Sequence, residues 1–263
     1  MIFGDGLAVS IGTLILGGAM KYYEEHEVAY QNLKKNGYVG WGKKKSVEEM
    51  MAFSQRSEIE SVLQSRTFPL NPRALDLGCG TGPISFYLSE KGFKSLGVDI
   101  SKTAVIEARK IASELKLDAE FVVADIVHET LPYDKFQIIS DSSFLHCIVF
   151  EDERQACLNK IFDFLDNNGL FILHTMVSDR AIDFGSDFEL DEQGVLWYLS
   201  KDARTRDSIV HASGCWATPQ RRILTADRIR QQMIAVGFKE LQTKYLYEEN
   251  KSEPLTLFGV YSR

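Results

Sequence analysis

Residues Arg73 to Leu88 read RALDLGCGTGPISFYL. A short apolar run carries one acid, Asp76, then breaks into Gly78, Gly80 and Gly82 at alternate positions before a helical pattern begins near Pro83. The run reads as a buried strand and the glycines as the turn that leaves it. Glycine permits positive φ and has no Cβ to hold a neighbour away, so main chain there is expected to come close to something. The N-terminal end of the following helix points its partial positive charge at the same place.

Outward from this stretch, apolar runs and amphipathic segments alternate. Strands are expected at 73–77, 95–100, 120–126, 136–140 and 170–176, with helices at 83–92, 101–117 and 151–169 between them. Gly92 and Gly169 read as helix stops and Ser101 as an N-cap. Runs of this kind mean a parallel sheet covered by helices on both faces. The pattern breaks from Val177 to Arg222, a stretch that is acidic at first, then aromatic and basic, and too long for a structureless connection; it is expected to fold over the sheet edge. A helix ended by Gly237 and two strands, 239–249 and 255–262, close the chain as an antiparallel pair. Upstream, Ser46 and Glu49 form a capping box that opens one long helix, with Val47, Met50, Met51, Ile59, Val62 and Leu63 on its buried face and Pro69 and Pro72 beyond it.

The chain has 263 residues, 44% of them hydrophobic, which favours one large α/β unit. A net charge of −7 argues against a nucleic-acid partner, since a general binder shows a basic face. Cys79, Cys147, Cys157 and Cys215 include no CxxC pair and no zinc-like spacing with histidine, so no metal is expected. They read as free thiols in a reducing cytosol, which makes the expected location cytoplasmic. Gly6 to Met20 carries no charge but is shorter than a bilayer span and glycine-rich. It reads as a helix packed on the domain, a weak membrane tether, or an extension upstream of a start at Met20.

Acidic residues stand at successive strand ends. Asp99 closes the second strand, roughly 20 residues beyond the first, where a carboxylate suits two ribose hydroxyls. Asp125 closes the third, beside Ala124 and Ile126, and suits an adenine edge and face. Asp141 follows the fourth. Any one of them could be a turn or cap residue; all of them beside the glycine turn point to a ligand. Open parallel sheets bind ligands at this edge. Carboxylates facing a pyrophosphate would be a poor electrostatic match, whereas a ligand with an adenosine and a cationic end fits.

The motifs LDLGCGTG, GVDIS, ADI and ISDSSFLHCI, in this order and spacing, resemble those of class I S-adenosylmethionine-dependent methyltransferases. The resemblance covers about Arg73 to Met176, and the closing strand pair fits it. It implies an α/β fold: a Rossmann-like, seven-stranded, mostly parallel sheet with an antiparallel last strand, helices on both faces, an N-terminal helical extension and a cap inserted after the fifth strand. Residues 1–45 would be the extension and a lid, 46–263 the methyltransferase domain, and 177–222 the substrate cap. The cofactor implied is S-adenosyl-L-methionine. By position, Asp76, Gly78, Gly80 and Gly82 would line its methionine part, Asp99 would hold the ribose with Ile100 beside the adenine, Asp125 and Ile126 would contact the adenine, and Asp141 and Ser142 would sit near the sulfonium. DSSF stands where enzymes acting on nucleic-acid bases carry an Asn-Pro-Pro-Tyr type motif, so the resemblance is to small-molecule members. GYVGWG is similar to tryptophan segments that close over the cofactor in some of these, which makes Trp41 a lid candidate.

The implied reaction is in-line transfer of a methyl group to a small-molecule acceptor, in which the protein mainly aligns and desolvates the partners. His146, five residues past Asp141, is the candidate general base; the alternative is that it only positions its loop. Cys147 and His174 read as packing, and His26, His128 and His211 show no partner pattern. In the cap, Trp197, Tyr198, Trp216 and His211 are candidates for an aromatic wall and Arg204, Arg206, Arg221 and Arg222 for an anion clamp; the alternative is that the aromatics pack the cap and the arginines are solvated. Rival readings are an NAD-dependent oxidoreductase, although Pro83 stands where GxGxxG needs its last glycine, aminopropyl transfer on the same fold, and a non-catalytic S-adenosylmethionine-binding protein.

Overall fold

In the computed structural model, residues 20–131, 135–246 and 255–263 are described. Gly6 to Met20, apart from Met20 itself, lies outside them. The elements are α1 (Glu25–Lys35), α2 (Val47–Met51), α3 (Arg56–Gln64), β1 (Arg73–Leu77), α4 (Pro83–Glu90), β2 (Lys94–Asp99), α5 (Lys102–Leu115), β3 (Ala119–Val123) and β4 (Phe136–Ser142). They continue with α6 (Glu151–Phe164), β5 (Leu165–Val177), β6 (Phe188–Leu190), β7 (Val195–Ser200), β8 (Ile209–Val210), β9 (Trp216–Arg222), α7 (Ala226–Val236), β10 (Lys239–Leu246) and β11 (Leu255–Ser262). Short 3-10 turns precede α1 at Tyr22–Glu24 and follow β4 at Leu145–Cys147.

The main sheet has seven strands in the order β10-β11-β5-β4-β1-β2-β3. All pairs from β5 to β3 are parallel, and β11 alone runs against its neighbours β5 and β10. Alternation along each strand divides the core. Leu75, Leu77, Ile139, Phe171 and Leu173 face Cys157, Leu158 and Ile161 of α6 and Ile229 and Met233 of α7. Ala74, Ile138, Leu170 and Ile172 face Ile59 and Val62 of α3 and Ile84, Tyr87 and Leu88 of α4. Strands buried on both faces are what the near-continuous apolar runs require.

Two local expectations need correction, and a third gains its detail. The helix capped by Ser46 is not one rod. Ser46 Oγ accepts from Glu49 N–H at 3.1 Å as a cap should, but α2 ends at Met51, and Ala52 leaves helical geometry at ψ 51°. The interruption carries Gln55 under the sheet edge, where its amide donates to Ser142 Oγ at 2.5 Å. Gly169 does not stop α6, which passes directly into β5 at Leu165. A Cβ on Gly169 would lie 2.8 Å from the Phe136 carbonyl, so the glycine lets β5 cross β4 where their register shifts. The stretch after β5, too long for a structureless connection, folds into a four-stranded sheet in the order β6-β7-β9-β8. A parallel bridge, Val177 to Leu224, joins it to the end of β5.

Gly82 is the N-cap of α4, at φ +95°. A Cβ there would stand 2.7 Å from Phe86 and 2.9 Å from Phe121. Its smallness seats α4 on the sheet. Replacing Gly82 with Ala is expected to destabilise the protein by about 1–3 kcal/mol through backbone strain and overpacking, read as a lower midpoint in urea; a midpoint equal to that of the parent would contradict this packing account.

Candidate functional site

A cavity of about 490 Å³ opens at the carboxyl ends of β1, β2 and β4. Its floor is the glycine turn. Gly78 and Gly80 have φ of +62° and +54°. A Cβ on Gly78 would meet Phe144 at 2.9 Å, and one on Gly80 would sit 2.3 Å from the Tyr30 hydroxyl oxygen. The bare backbone is therefore required on the cavity side, which is the cradle a ligand's polar chain needs. Gly82 faces the sheet instead and does not line the cavity, so its part is structural.

The strand-end acids divide into different roles. Asp99 lines the cavity; its Oδ2 accepts from Gly80 N–H and its Oδ1 from Ser101 N–H, each at 2.8 Å. Burial raises its pKa, against those two bonds. Asp76 also lines the cavity, with Oδ2 held by Ser85 N–H at 3.1 Å and Ser85 Oγ at 2.8 Å; burial pushes its carboxyl up to about 7. Asp125 is different. Burial alone would raise it, but bonds from the Tyr23 hydroxyl at 2.7 Å and His128 at 3.0 Å outweigh that and hold it below its ordinary value. Ile100 and Ile126 flank these acids on the cavity wall.

Asp141 is put to another use than its position suggests. Its oxygens accept from Phe144 N–H and Leu145 N–H at 2.9 and 2.8 Å, and it does not line the cavity. Burial pushes it up to about 7, with the Arg154 guanidinium opposing. It shapes the turn that carries His146 and Cys147 into the cavity. Ser142, next to it, does reach the cavity.

Residues distant in sequence complete the wall: His26 and Tyr30 of α1, Trp41, and Ala52 to Gln55. The Trp41 ring lies 5.5 Å from that of Tyr30 and 6.0 Å from that of His26. Tyr23, His26, Tyr30 and Gln55 were missed from the sequence alone. Their spacing on α1 (His26 and Tyr30 one turn apart) is the one signal that was available. From the second sheet only Arg221 lines the cavity. Trp197 donates to Asp191, Tyr198 packs against Phe188 under Arg204, and His211 pairs with Glu189, so these residues and Trp216 form no wall. Arg204 bonds Glu25, Arg206 approaches Asp207, and buried Arg222 bonds Val149 O and Glu151. Among the described residues no carboxylate forms an ion pair with Arg221.

His146 is buried. Its Nδ1 accepts from Met176 N–H and lies beside the Thr175 hydroxyl, both at 3.3 Å. Burial lowers its pKa, with Cys147 opposing. The Cys147 thiol, raised by burial, is drawn below its ordinary value chiefly by Arg221 and then by His146.

The donors present fit S-adenosylmethionine. Gly78 and Gly80 leave room beside main chain, and each Asp99 oxygen keeps a lone pair for a hydroxyl. Asp76 supplies a carboxylate that a cation would ionise.

A family model described as a methyltransferase domain matches residues 71–237. Phosphoethanolamine N-methyltransferase 1 of Zea mays is 26% identical over 237 residues, covering 88% of this chain and 41% of that protein. The 2-heptyl-1-hydroxyquinolin-4(1H)-one methyltransferase of Mycobacteroides abscessus is 37% identical over 78 residues, 29% of this chain and 34% of that one. The chain spans about a fifth to two fifths of the length of the curated relatives it matches. Among solved structures, a SAM-dependent methyltransferase of Methanosarcina mazei superposes with a TM-score of 0.59 at 19% identity, covering 77% of this chain and 96% of that one. The CcbJ methyltransferase of Streptomyces caelestis gives 0.56 at 18%, covering 77% and 88%. These two likenesses show the fold. Since the family match runs from just before β1 to the residue after α7, and so takes in five of the seven strands of the main sheet and the turn that floors the cavity, the chain belongs to the methyltransferase domain family.

Proposed function

We propose that the chain transfers a methyl group to a small-molecule acceptor by in-line displacement. The observation that carries this reading is the lining of one cavity: bare glycine backbone with Asp76 and Asp99, together with Arg221, His146 and Cys147. The cofactor, when bound, supplies an electrophilic methyl on a cationic sulfur. Gly78, Gly80 and Asp76 would hold its methionine part, Asp99 its ribose, and Asp125, Ile100 and Ile126 its adenine. Ser142 would stand near the sulfur and Trp41 would close over the site. The second sheet, within 177–222, would act as the acceptor cap and residues 1–45 as the extension that carries the lid, with 46–263 as the domain proper.

Arg221 gives the acceptor its chemical class. A guanidinium with no acidic partner among the described residues, facing a cavity, favours an acceptor with an anionic group. The maize relative is named for phosphoethanolamine, which bears such a group. Alignment in a closed cavity can supply about 7–11 kcal/mol of barrier reduction.

Binding separates this reading from its rivals. Isothermal titration should give saturable binding of S-adenosylhomocysteine, and Asp99→Ala should weaken it by about 10- to 100-fold, the loss of charge-assisted bonds worth about 1.5–3 kcal/mol. No heat with S-adenosylhomocysteine, or tighter binding of NADH, would sink the proposal. A methyl-transfer screen with labelled cofactor and small metabolites then tests turnover against binding alone.

Asp76 supplies a pH test. Its carboxyl sits at about 7 in the free protein. A cationic ligand lowers that value and so expels the proton. Affinity for S-adenosylmethionine should therefore strengthen as pH rises toward about 7 and level off above it, whereas Asp76→Asn should flatten the profile. Titrations across pH in two buffers of different ionisation heat measure the released proton.

For an acidic acceptor, Arg221→Gln should raise KM by about 10-fold or more with little change in kcat. Arg222→Gln, which removes bonds to Val149 and Glu151, should lower stability instead. Steady-state kinetics on acidic and neutral acceptors distinguish the two.

A further inference from the structure

Three histidines, His26, His146 and His174, line the cavity, and hydrogen bonding fixes the neutral forms of the first two in opposite senses. His26 lies in the first turn of α1, with Nδ1 2.8 Å from the Tyr23 carbonyl oxygen. A carbonyl can only accept, so Nδ1 carries the proton and Nε2 keeps a lone pair. In His146 the relation is reversed. Met176 N–H donates to Nδ1, so the lone pair is spent there and Nε2 carries the proton. A base must present a lone pair to the proton it removes, and His146 presents an N–H.

Position supports the same distinction. Arg221 lies near enough for its charge to act on His26, His146 and Cys147 alike. Helix α1, the 145–147 turn and β9 therefore meet at the acceptor end. The groups facing His26 are Glu25 on its own helix, Tyr30 one turn on, Asp99 at the end of β2 and Arg221 on β9. Burial first, then Arg221, lower the His26 pKa, while Asp99 and Glu25 oppose them. At neutral pH the ring is thus uncharged with Nε2 free to accept.

We propose that His26, through Nε2, takes the proton that the acceptor's nucleophilic atom loses on methylation, and that His146 serves as a hydrogen-bond donor and not as the base. This deepens the methyltransferase reading and rests on it. The balance is simple: the acceptor's O–H or N–H pair becomes its bond to the methyl carbon, the proton goes to Nε2, and the pair from the broken carbon–sulfur bond stays on sulfur. The imidazolium then returns its proton to solvent. The acceptor class is accordingly a neutral hydroxyl or an N–H group on a molecule that also carries an anionic group for Arg221.

The first test needs no acceptor. Two-bond proton–nitrogen correlation spectra of the full chain labelled with ¹⁵N-histidine, with resonances identified from His26→Gln and His146→Gln, report each tautomer directly. A protonated Nδ1 in His26 and a protonated Nε2 in His146 are expected; His26 with its proton on Nε2, or charged at neutral pH, overturns the proposal. Diethyl pyrocarbonate, which acylates an unprotonated imidazole nitrogen, provides a second measurement. It should modify His26 ahead of His146 by peptide mass, and a His146 that reacts first overturns the proposal. On the acceptor found by the metabolite screen, His26→Gln should lower kcat by about 10²- to 10⁴-fold and abolish the acid limb of its pH profile, with S-adenosylhomocysteine affinity retained. An unchanged kcat and acid limb would overturn it. Failure of the parent protein to bind S-adenosylhomocysteine refutes the methyltransferase reading instead, and the tautomers still decide the histidine roles.

Discussion

The carboxylate of Asp99 ties the site together. One oxygen holds Gly80 in the turn after β1, and the other holds Ser101 at the start of α5. Two chain crossings at the sheet edge are thereby fixed to a single buried group. Ser101 extends the link: its hydroxyl accepts from Ala104 N–H as the cap of α5 and donates to Glu27 of α1 at 2.6 Å. Turn, strand end, helix cap and N-terminal helix form one chain of hydrogen bonds. Bonds to a charged acceptor are worth about 1.5–3 kcal/mol each, and the partial positive charge of a helix N-terminus adds to them. These terms offset the cost of burying a carboxylate whose neighbours at this edge are also acidic.

That crowding has a direction. Asp76 is raised first by burial and further by Asp99, and Asp99 by burial and by Glu27. Asp125, with Tyr23 and His128 donating to it, is held low. The cavity thus holds carboxyl groups, Asp76 and Asp99, that ionise more readily once a cation arrives, and also the Arg221 guanidinium. A ligand carrying positive charge at one end and an acceptor carrying negative charge at the other complement this field without any group having to move. A pyrophosphate would face the reverse arrangement.

Much of this was legible in the sequence because it is local. The strand at 73–77, the glycine turn, the Ser101 cap and the closing antiparallel pair follow from periodicity and from residues a few positions apart. The cavity lining was legible to the same depth: Asp76, Gly78, Gly80, Asp99, Ile100, Asp125, Ile126 and Ser142 all reach the cavity. What failed depended on contacts, near or far along the chain, that the residue pattern does not show. Asp141 stands at a strand end like the others, but two N–H groups of its own turn claim it. Gly82 belongs to the same motif yet answers to Phe86 and Phe121. The break at Ala52–Gln55 needs Ser142, far along the chain, to make sense of it. His26 shows in the sequence only its one-turn spacing from Tyr30, because its tautomer is set by a backbone carbonyl and Arg221 reaches it from the second sheet.

The two halves of the site also differ in how firmly they are held. The glycine end is built on β1 and β2, whose inner residues are buried on both sides. Helix α1 has no buried residue of its own. It is anchored by Tyr22 and Tyr23 ahead of it, by Glu27 bonded to Ser101 and Thr103, and by Glu25 bonded to Arg204 and Gln220 of the cap region. Polar anchors of this kind open locally at lower free energy than a sheet core. Tyr30 against Gly80 and His26 within reach of the Arg221 charge ride on the same helix, so one local opening would move both parts of the cavity wall together. A helix held in this way couples two parts of the cavity wall: the face that carries His26 is in place only while Tyr30 covers the glycine turn.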